Sequence, residues 1–580
     1  MIKVSEAYKQ ASSSTERKSY IIARYGLYDK NAKNSISDIN STLQPFSDEE
    51  KTIDEERTSN YNYISCEPNR VILNDGFYFI QNKNKKQDLQ DIAYWSNELS
   101  NENKLFATNP KIIYLFSNDI EFTELTLHFQ EVCESFIVRY YYNNNLVAIR
   151  NITNNTSTQI TTNGSSVLSN VVFDKLEIEF VKTTVPYRFI KFNEIDFGVY
   201  QKFTNSQILD LDIIDELSID SSELSSNSLT LVIDDENGEY DVLNPNNKLR
   251  YLQERQEITI FHYLKVGEKY HELPLGTFLL KEFKAKNQKL ELQAYDDVYF
   301  MNQLYYGSKY YENEEITKVL EDLFNYFNYT NYIIDKELQG IKISGYIPRV
   351  EFREALRLIA ESGKCVVAKT RNGETYIFKI YDPVSKTFER KIIFGENPVK
   401  NLYNNVIDIL EYNYSNIQEN FEIYNSTMST GQYVILFENY PIKQDTIEKI
   451  EENNNYEILV KYATGCVINV IAETTIKLKG TYIKEMSAVQ RIKKSNEQKL
   501  SKDYAITKVD NHLITKENLQ EIANWKLSRG AIKYNFETLT IPYLEVGDTC
   551  EYQTKYNSKN TFIPTRIEFS KSILQSIEGE

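Results

Sequence analysis

Long stretches of the chain alternate between apolar and polar residues, a pattern typical of β-strands with one buried and one wet face. Residues 125–130 and 175–180 alternate in this way, and residues 229–233 repeat the pattern. Turn-forming residues separate such stretches: 143–145 is an Asn triplet, and Asn-Gly at 372–373 is a strong hairpin signal. The pattern predicts a mainly β protein.

Three stretches change to helical spacing. Apolar residues recur every three or four positions over 316–327 and again over 352–360, which predicts two amphipathic helices. Gly363 is a suitable C-cap for the second helix. A third helix is predicted to begin at Thr515, as its N-cap, and to end at Gly530.

The order of these patterns predicts a mainly β, multi-domain fold: a jelly-roll sandwich followed by two β-barrel-like domains that bracket a small α+β domain. The predicted segments are an N-terminal arm over 1–60, the jelly roll over 61–203, the first barrel over 204–299, the α+β domain over 300–398, and the second barrel with a C-terminal helix and strands over 399–580.

Composition narrows the function classes. The 580 residues include 66 Lys+Arg and 83 Asp+Glu, a net charge of −17, whereas nucleic-acid binders are normally basic. No specific nucleic-acid binding is therefore expected. The N-terminus lacks the apolar core of a signal peptide and no apolar run is long enough for a membrane helix, so we expect synthesis in the cytoplasm and no membrane contact. The 44 tyrosines fit either an AT-rich genome or an aromatic binding surface.

Candidate catalytic chemistry is sparse. The five cysteines are dispersed without a CxxC pair, which favours free thiols. Cys466 and His512 have the chain order of a cysteine peptidase, yet Cys466 lies in a predicted strand rather than at an activating helix N-terminus. His262 and His271 flank a predicted hairpin loop at Gly267, but no Cys or second His pair completes a metal site, so a solvated hairpin is predicted there. Phosphate-loop, GxSxG and HExxH motifs are missing, so we predict no enzyme, no metal site and no cofactor.

Carbohydrate binding has one candidate site. Tyr94 and Trp95 are followed by Asn97 and Glu98, beside loop-forming residues. An aromatic ring with nearby amide and carboxylate groups is typical equipment for stacking on a sugar and hydrogen-bonding its hydroxyls. The competing interpretation is that Trp95 fills the core of the sandwich.

Several segments resemble known proteins. The segments that resemble a galactose-binding-like (discoidin-type) jelly roll, as found in prophage tail proteins, are Tyr94–Ser100, Phe122–Phe129, Val172–Phe180 and Pro186–Gly198. Those similar to baseplate hub or tail-associated proteins of long-tailed phages and contractile tailocins are Leu217–Leu224, Leu275–Glu282, Leu290–Asp296, Ala355–Gly363, Pro542–Asp548 and Thr565–Phe569. The order of the segments carries this resemblance.

The resemblance implies a structural, non-enzymatic baseplate hub at the tip of a phage or tailocin tail tube, assembled in the bacterial cytoplasm. Its implied partners are two further copies in a trimer, the tail tube protein, the central spike, the tape measure and other baseplate proteins. A cell-surface glycan stays open as a ligand. The alternatives are a tail-associated peptidoglycan hydrolase and a receptor-binding carbohydrate-recognition protein. As a further hypothesis, acidic residues over 210–241 would line the tube lumen and repel passing DNA.

Overall fold

The computed structural model describes most of the chain. The described residues are 2, 4–14, 16–28, 32–33, 35–46, 49–53, 67, 72–74, 78–80, 93–122, 125–161, 171–244, 252, 254–267, 269–380, 386–388, 392–400, 406–451, 454–493, 506–529, 532–556, 558–571 and 574–580. They form a mainly β, multi-domain structure, as the alternating pattern predicted. Among these residues, no helix is long and apolar enough to cross a membrane.

The chain divides into two compact units. The sandwich unit comprises Arg24–Lys202 and Tyr251–Gln256, and the main unit comprises Met1–Ala23, Phe203–Arg250 and Glu257–Glu580. Strands Ser19–Tyr28 and Gly198–Phe203 contain two of the boundaries. Each unit has its own apolar core and is described separately.

Two antiparallel sheets form the sandwich unit. In pairing order, one sheet contains Ile36–Ser41, Lys111–Phe122, Val171–Thr183, Cys133–Tyr142 and Asn145–Ile152, and the other contains Gln159–Thr161, Thr126–Phe129, Lys191–Asp196 and Tyr94–Trp95. Both sheets contribute to one aromatic-rich core, in which Phe129 lies 5.4 Å from Phe136 between ring centroids. A separate pair, Ile72–Asn74 with Tyr78–Ile80, and a 3-10 helix, Glu49–Ile53, complete the described elements.

The segment predicted as an arm over 1–60 contains regular structure. Helix Glu6–Ser12 has Ser5 as its N-cap, whose side chain accepts a hydrogen bond from the Tyr8 N–H. Strand Ile36–Ser41 pairs with Lys111–Phe122 at the edge of the larger sandwich sheet. Pairing with a distant strand supplies the stabilisation that the weak local pattern does not indicate.

One long sheet organises the main unit. In pairing order its strands are Glu257–Val266, Lys269–Lys286, Lys289–Tyr295, Ser228–Asp234, Ile208–Glu216, Pro564–Ser570, Leu574–Gly579, Ile532–Leu539 and Ile393–Glu396, and Val399–Lys400 also pairs with Ile532–Leu539. Strand Ile208–Glu216 joins the two halves, because it pairs with Ser228–Asp234 on one side and with Pro564–Ser570 on the other. Strands more than 300 positions apart thus share one sheet.

Two predicted helices pack beside a small sheet. Helices Ile316–Tyr326 and Phe352–Gly363 bury the apolar stripes that the spacing predicted. The second helix ends one residue later than the predicted cap: Lys364 adopts the left-handed conformation at φ 54°. The associated strands are Tyr332–Ile334, Thr375–Phe378 and Val366–Lys369, together with the pairs Leu304–Tyr305 with Val350–Glu351 and Tyr311–Glu315 with Lys342–Gly345; Asp297–Phe300 and Lys336–Leu338 are 3-10 helices. The Asn-Gly hairpin is confirmed, with Val366 opposite Phe378.

A long ribbon extends the main unit. Strands Val406–Met428 and Thr474–Lys493 pair along most of their length, flanked by Ile442–Lys449 and Ile506–Val509. A three-stranded sheet of Gly431–Leu436, Gly465–Val470 and Tyr456–Lys461 lies between them in sequence, and Lys386–Phe388, Cys550–Gln553 and Lys559–Phe562 form another. Helix Leu519–Leu527 packs on the ribbon, and it begins one turn after the predicted Thr515 because residues 516–518 form a turn.

Candidate interaction surfaces

The predicted carbohydrate residues begin on a short strand of the sandwich. Tyr94 and Trp95 pair with Phe192 and Lys191 of the neighbouring strand. Tyr94 is 0% exposed and stacks on Phe180 at 6.0 Å, while Trp95 is 5% exposed. Burial raises the pKa of the Tyr94 hydroxyl above its usual range. Both rings lie inside the protein.

The other two predicted residues follow in the turn. Asn97 is exposed and Glu98 is half-buried. Ser96, between the rings and these polar groups, anchors the turn: its hydroxyl accepts from the Ile190 N–H at 2.9 Å and donates to the Glu98 carbonyl at 3.2 Å. The structure therefore places the two aromatic rings in the interior and Asn97 at the surface. Sugar binding by these four residues stays a prediction.

A buried ion cluster lies directly beside Trp95. The Lys191 ammonium, 0% exposed, donates to both carboxylate oxygens of Glu67, at 2.8 and 2.9 Å, and to Glu131 at 2.9 Å. The same ammonium lies 5.5 Å from the centroid of the Trp95 ring. Glu67 also accepts from the Phe189 N–H at 3.0 Å. The indole therefore packs against a charge cluster that ties residue 67 to the sheet.

In the main unit, one side of the long sheet faces the core, and the other side is partly exposed and carries both polar and apolar residues. The core side carries apolar residues such as Leu211, Leu231 and Ile567, each 0% exposed. On four neighbouring strands the opposite side carries six acidic residues, together with other polar side chains and the apolar Ile214 and Leu574; we call this side the acidic face. Its carboxylates are Asp210, Asp212, Glu216, Glu537, Glu568 and Glu578, and its cations are Lys533 and Arg566.

Carboxylates repel one another within the acidic face. Burial, followed by the nearby Glu568 carboxylate, raises the pKa of Asp212. Arg566 offsets part of the charge by pairing with Glu216 at 2.5 Å and with Glu568 at 3.3 Å. A groove of about 410 Å³ runs along this face, lined by Glu537, Glu568 and neighbouring polar residues. The surface therefore has a net negative charge.

Two buried acids lie beneath the sheet, where it meets the small α+β region. Asp215 pairs with Arg371, which also donates to the backbone carbonyls of Leu275 at 2.6 Å and Leu544 at 2.9 Å. Asp296 accepts from the Asn227 N–H at 2.7 Å. Burial raises the pKa of Asp215 to about 6 and that of Asp296 to about 7. The sequence did not predict that either acid is buried, since the groups that surround them lie far away along the chain.

The structure also locates the residues weighed as catalytic candidates. Cys466 is buried in strand Gly465–Val470, and burial raises the pKa of its thiol to about 12, so it carries no thiolate at neutral pH. His262 is buried, contrary to the expected solvated hairpin, and burial lowers its pKa to about 3. His512 contacts Glu485 at 3.1 Å. These environments are structural rather than nucleophilic.

Comparison with known proteins finds similarity by structure only. Neither a protein-family model nor a curated protein matches the sequence. The structural neighbours are phage tail and baseplate proteins. The chain is similar to the 43 kDa tail protein of prophage MuSo2 from Shewanella oneidensis, at 10% identity over 66% of this chain and 95% of that one, with a TM-score of 0.37.

Two further neighbours belong to the same group. A tail protein from Neisseria meningitidis MC58 has 9% identity over 66% of this chain and 93% of that one, with a TM-score of 0.38. A chain of the P2 virion baseplate in its activated conformation has 9% identity over 66% and 92%, with a TM-score of 0.24. Because these TM-scores lie below 0.5, the role proposed for this chain rests on its own residues.

Proposed function

We propose that this protein is a structural, non-enzymatic baseplate hub at the tip of a phage or phage-like tail tube, with the sandwich unit as a galactose-binding-like jelly roll. The sequence segments that resemble hub proteins, and their order along the chain, support this role. The observation that supports it most is the acidic face, a surface with more carboxylates than cations on a sheet whose other side is a packed core. A threefold ring of such sheets would extend the tube.

The chemistry of the acidic face suits the wall of a conduit. Its carboxylates outnumber its cations, and Ser570 and Ser576 lie between them as small polar residues. A negative surface repels the DNA backbone and offers it few hydrogen-bond donors. Part of the acidic segment over 210–241 has another role: Asp215 is buried against Arg371, and Asp235 accepts from the Tyr240 N–H in a turn.

Electron microscopy of intact particles tests the proposal. An epitope tag on the full chain should locate to the end of the tail tube, and averaged maps should show a threefold ring with the acidic face toward the lumen. Density in peripheral fibres would instead support a receptor-binding protein. A lumen lined by neutral or basic side chains would contradict the conduit argument even if the protein lies at the tube end.

Two biochemical assays address the alternatives. Zymography on purified cell walls should show no clearing by the full chain, whereas clearing would support a peptidoglycan hydrolase. A glycan array should show no binding that depends on Asn97 and Glu98 if the sandwich is architectural. Binding lost in Asn97→Ala would support carbohydrate recognition at the predicted residues.

A further inference from the structure

A cluster of metal-ligating side chains lies on the smaller sheet of the sandwich unit. His128, Glu194 and Asp196 come from two adjacent antiparallel strands, Thr126–Phe129 and Lys191–Asp196. One ligand atom from each residue lies within 4.8 Å of the other two, and all three residues are partly buried. We propose that these three side chains bind a divalent transition-metal ion such as Zn²⁺.

Strand pairing places the three side chains on one face. Glu194 is directly opposite His128, and Asp196, two positions further, is on the same side of its strand. The intervening residues Leu127 and Ile195 point into the core and are 0% and 2% exposed. The backbone that carries the ligands is therefore fixed by core packing, so little ordering remains to be done when an ion binds.

The donor set suits a borderline ion better than a hard one. One imidazole with two carboxylates is a ligand combination that Zn²⁺ accepts, with a fourth position left for water, whereas Ca²⁺ prefers six to eight oxygen ligands. Two carboxylates also leave the cluster with net negative charge when His128 is neutral. The charge and the donor types both favour a cation at this position.

The distance between His128 and Asp196 admits a zinc ion after a small adjustment. His128 Nε2 lies 2.7 Å from Asp196 Oδ2. Ligand atoms of a tetrahedral zinc site are about 3.3 Å apart, given metal–ligand bonds of about 2.0–2.1 Å. A side-chain rotation that opens this contact by about half an ångström, from the observed 2.7 Å, would admit the ion between the two atoms.

The sequence predicted no metal at this position. The alternation over 125–130 puts His128 on the polar side of its strand, and alternation puts Glu194 and Asp196 on one side of another strand. The sequence pattern does not show the strand register that brings these three side chains together. The inference concerns the sandwich unit alone and does not depend on the proposed role in a tail.

Titration of the metal-stripped full chain with Zn²⁺ at pH 7.5, by calorimetry, tests the site. We expect one equivalent to bind, with affinity at least about tenfold above that for Ca²⁺ and lower at pH 5.5, because the imidazole must be neutral to act as a ligand. His128→Ala should lose this equivalent, and Asp196→Asn should weaken it by about tenfold or more. Both variants are checked for native circular dichroism.

The chain offers a matched control in His512, which contacts Glu485 at 3.1 Å but belongs to no three-ligand group among the described residues. His512→Ala should bind Zn²⁺ like the wild type. The proposal is overturned if the wild type binds no equivalent, or if His128→Ala and Asp196→Asn retain wild-type affinity. If His128→Ala fails to fold, the conservative Asp196→Asn variant and the Zn²⁺-induced shift of the His128 imidazole resonances decide the question.

Discussion

The two units hold a buried cation in different ways. In the sandwich unit, Lys191 is surrounded by two carboxylates, those of Glu67 and Glu131, so the cluster has surplus negative charge. In the main unit, Arg371 faces one carboxylate, Asp215, and its two terminal nitrogens also donate to the backbone carbonyls of Leu275 and Leu544. The lysine site therefore depends mainly on charge balance, whereas the arginine site depends on the planar fork of the guanidinium.

The largest expected effect comes from Lys191→Met. The substitution leaves Glu67, 0% exposed, without its cation, and an unpaired buried charge costs about 3–5 kcal/mol of unfolding free energy. Urea unfolding monitored by circular dichroism measures the loss. Lys104→Met is the matched control, because Lys104 is partly exposed and its contact with Glu134 is 3.6 Å; we expect a loss below about 1 kcal/mol. Equal losses in the two variants would contradict the charge-balance argument.

Arg371→Met tests the comparison further, because the unfolding free energy that this variant loses should depend on pH. The neighbouring Asp215 has a pKa raised to about 6, and removing the guanidinium raises it further. At pH 8 the unpaired carboxylate should cost about 3 kcal/mol, and at pH 5 protonation of Asp215 should recover part of this loss. Thermal melts at the two pH values check the difference.

Two companion variants separate charge from geometry at this site. Arg371→Lys keeps the charge but not the fork, so it should also destabilise, through the carbonyls of Leu275 and Leu544. Adding Asp215→Asn to Arg371→Met should remove most of the pH dependence. A loss that stays constant with pH in Arg371→Met would mean that Asp215 is not the affected partner.

Local sequence patterns predicted the elements that form between residues close together in the chain. Helices Ile316–Tyr326 and Phe352–Gly363 and the hairpin at 372–373 follow from spacing and turn chemistry within a few residues. Local patterns do not predict which charged residues are buried. Alternation assigns Lys191 to a wet face, and Arg371 immediately precedes an Asn-Gly turn that is normally solvated, yet these residues are 1% and 4% exposed.

Long-range pairing explains why these sites, and the full set of residues on the acidic face, could not be predicted from the sequence. Strand Ile208–Glu216 acquires its neighbour Pro564–Ser570 from the far end of the chain, and Glu67 reaches Lys191 across 124 positions. No periodicity links such segments. The acidic residues of 210–241 suggested a negative surface, but only the sheet register adds Glu537, Glu568 and Glu578 to it.

Asp296 should give a smaller effect of opposite sign. Its pKa is about 7 in the folded protein and about 4 when exposed, so the folded state binds the extra proton between these values. The stability that this proton provides is complete below about pH 4 and is lost as the pH rises through 7. Asp296→Asn keeps the acceptor for the Asn227 N–H without the charge, so we expect a gain of about 1–2 kcal/mol at pH 8 and a flatter pH profile.

Denaturant unfolding at pH 5 and pH 8 measures this change. Asp241→Asn is the control, since Asp241 is an exposed acid of the same unit. The control should alter stability by less than about 0.5 kcal/mol at either pH. If Asp296→Asn is less stable than the wild type at pH 8, a partner group must stabilise the charged Asp296 carboxylate in the folded protein.

The smallest expected effect lies on the acidic face, where charges are partly solvated. Glu568→Gln removes the like charge beside Asp212 but also one partner of Arg566, so the two changes oppose each other. We expect stability to change by less than about 0.5 kcal/mol, and salt to reduce the difference further. Nuclear magnetic resonance titration should nevertheless show a lower Asp212 pKa in the variant. If the Asp212 pKa is unchanged, the raised value is due to burial alone, and the acids of this face act independently rather than as one negative surface.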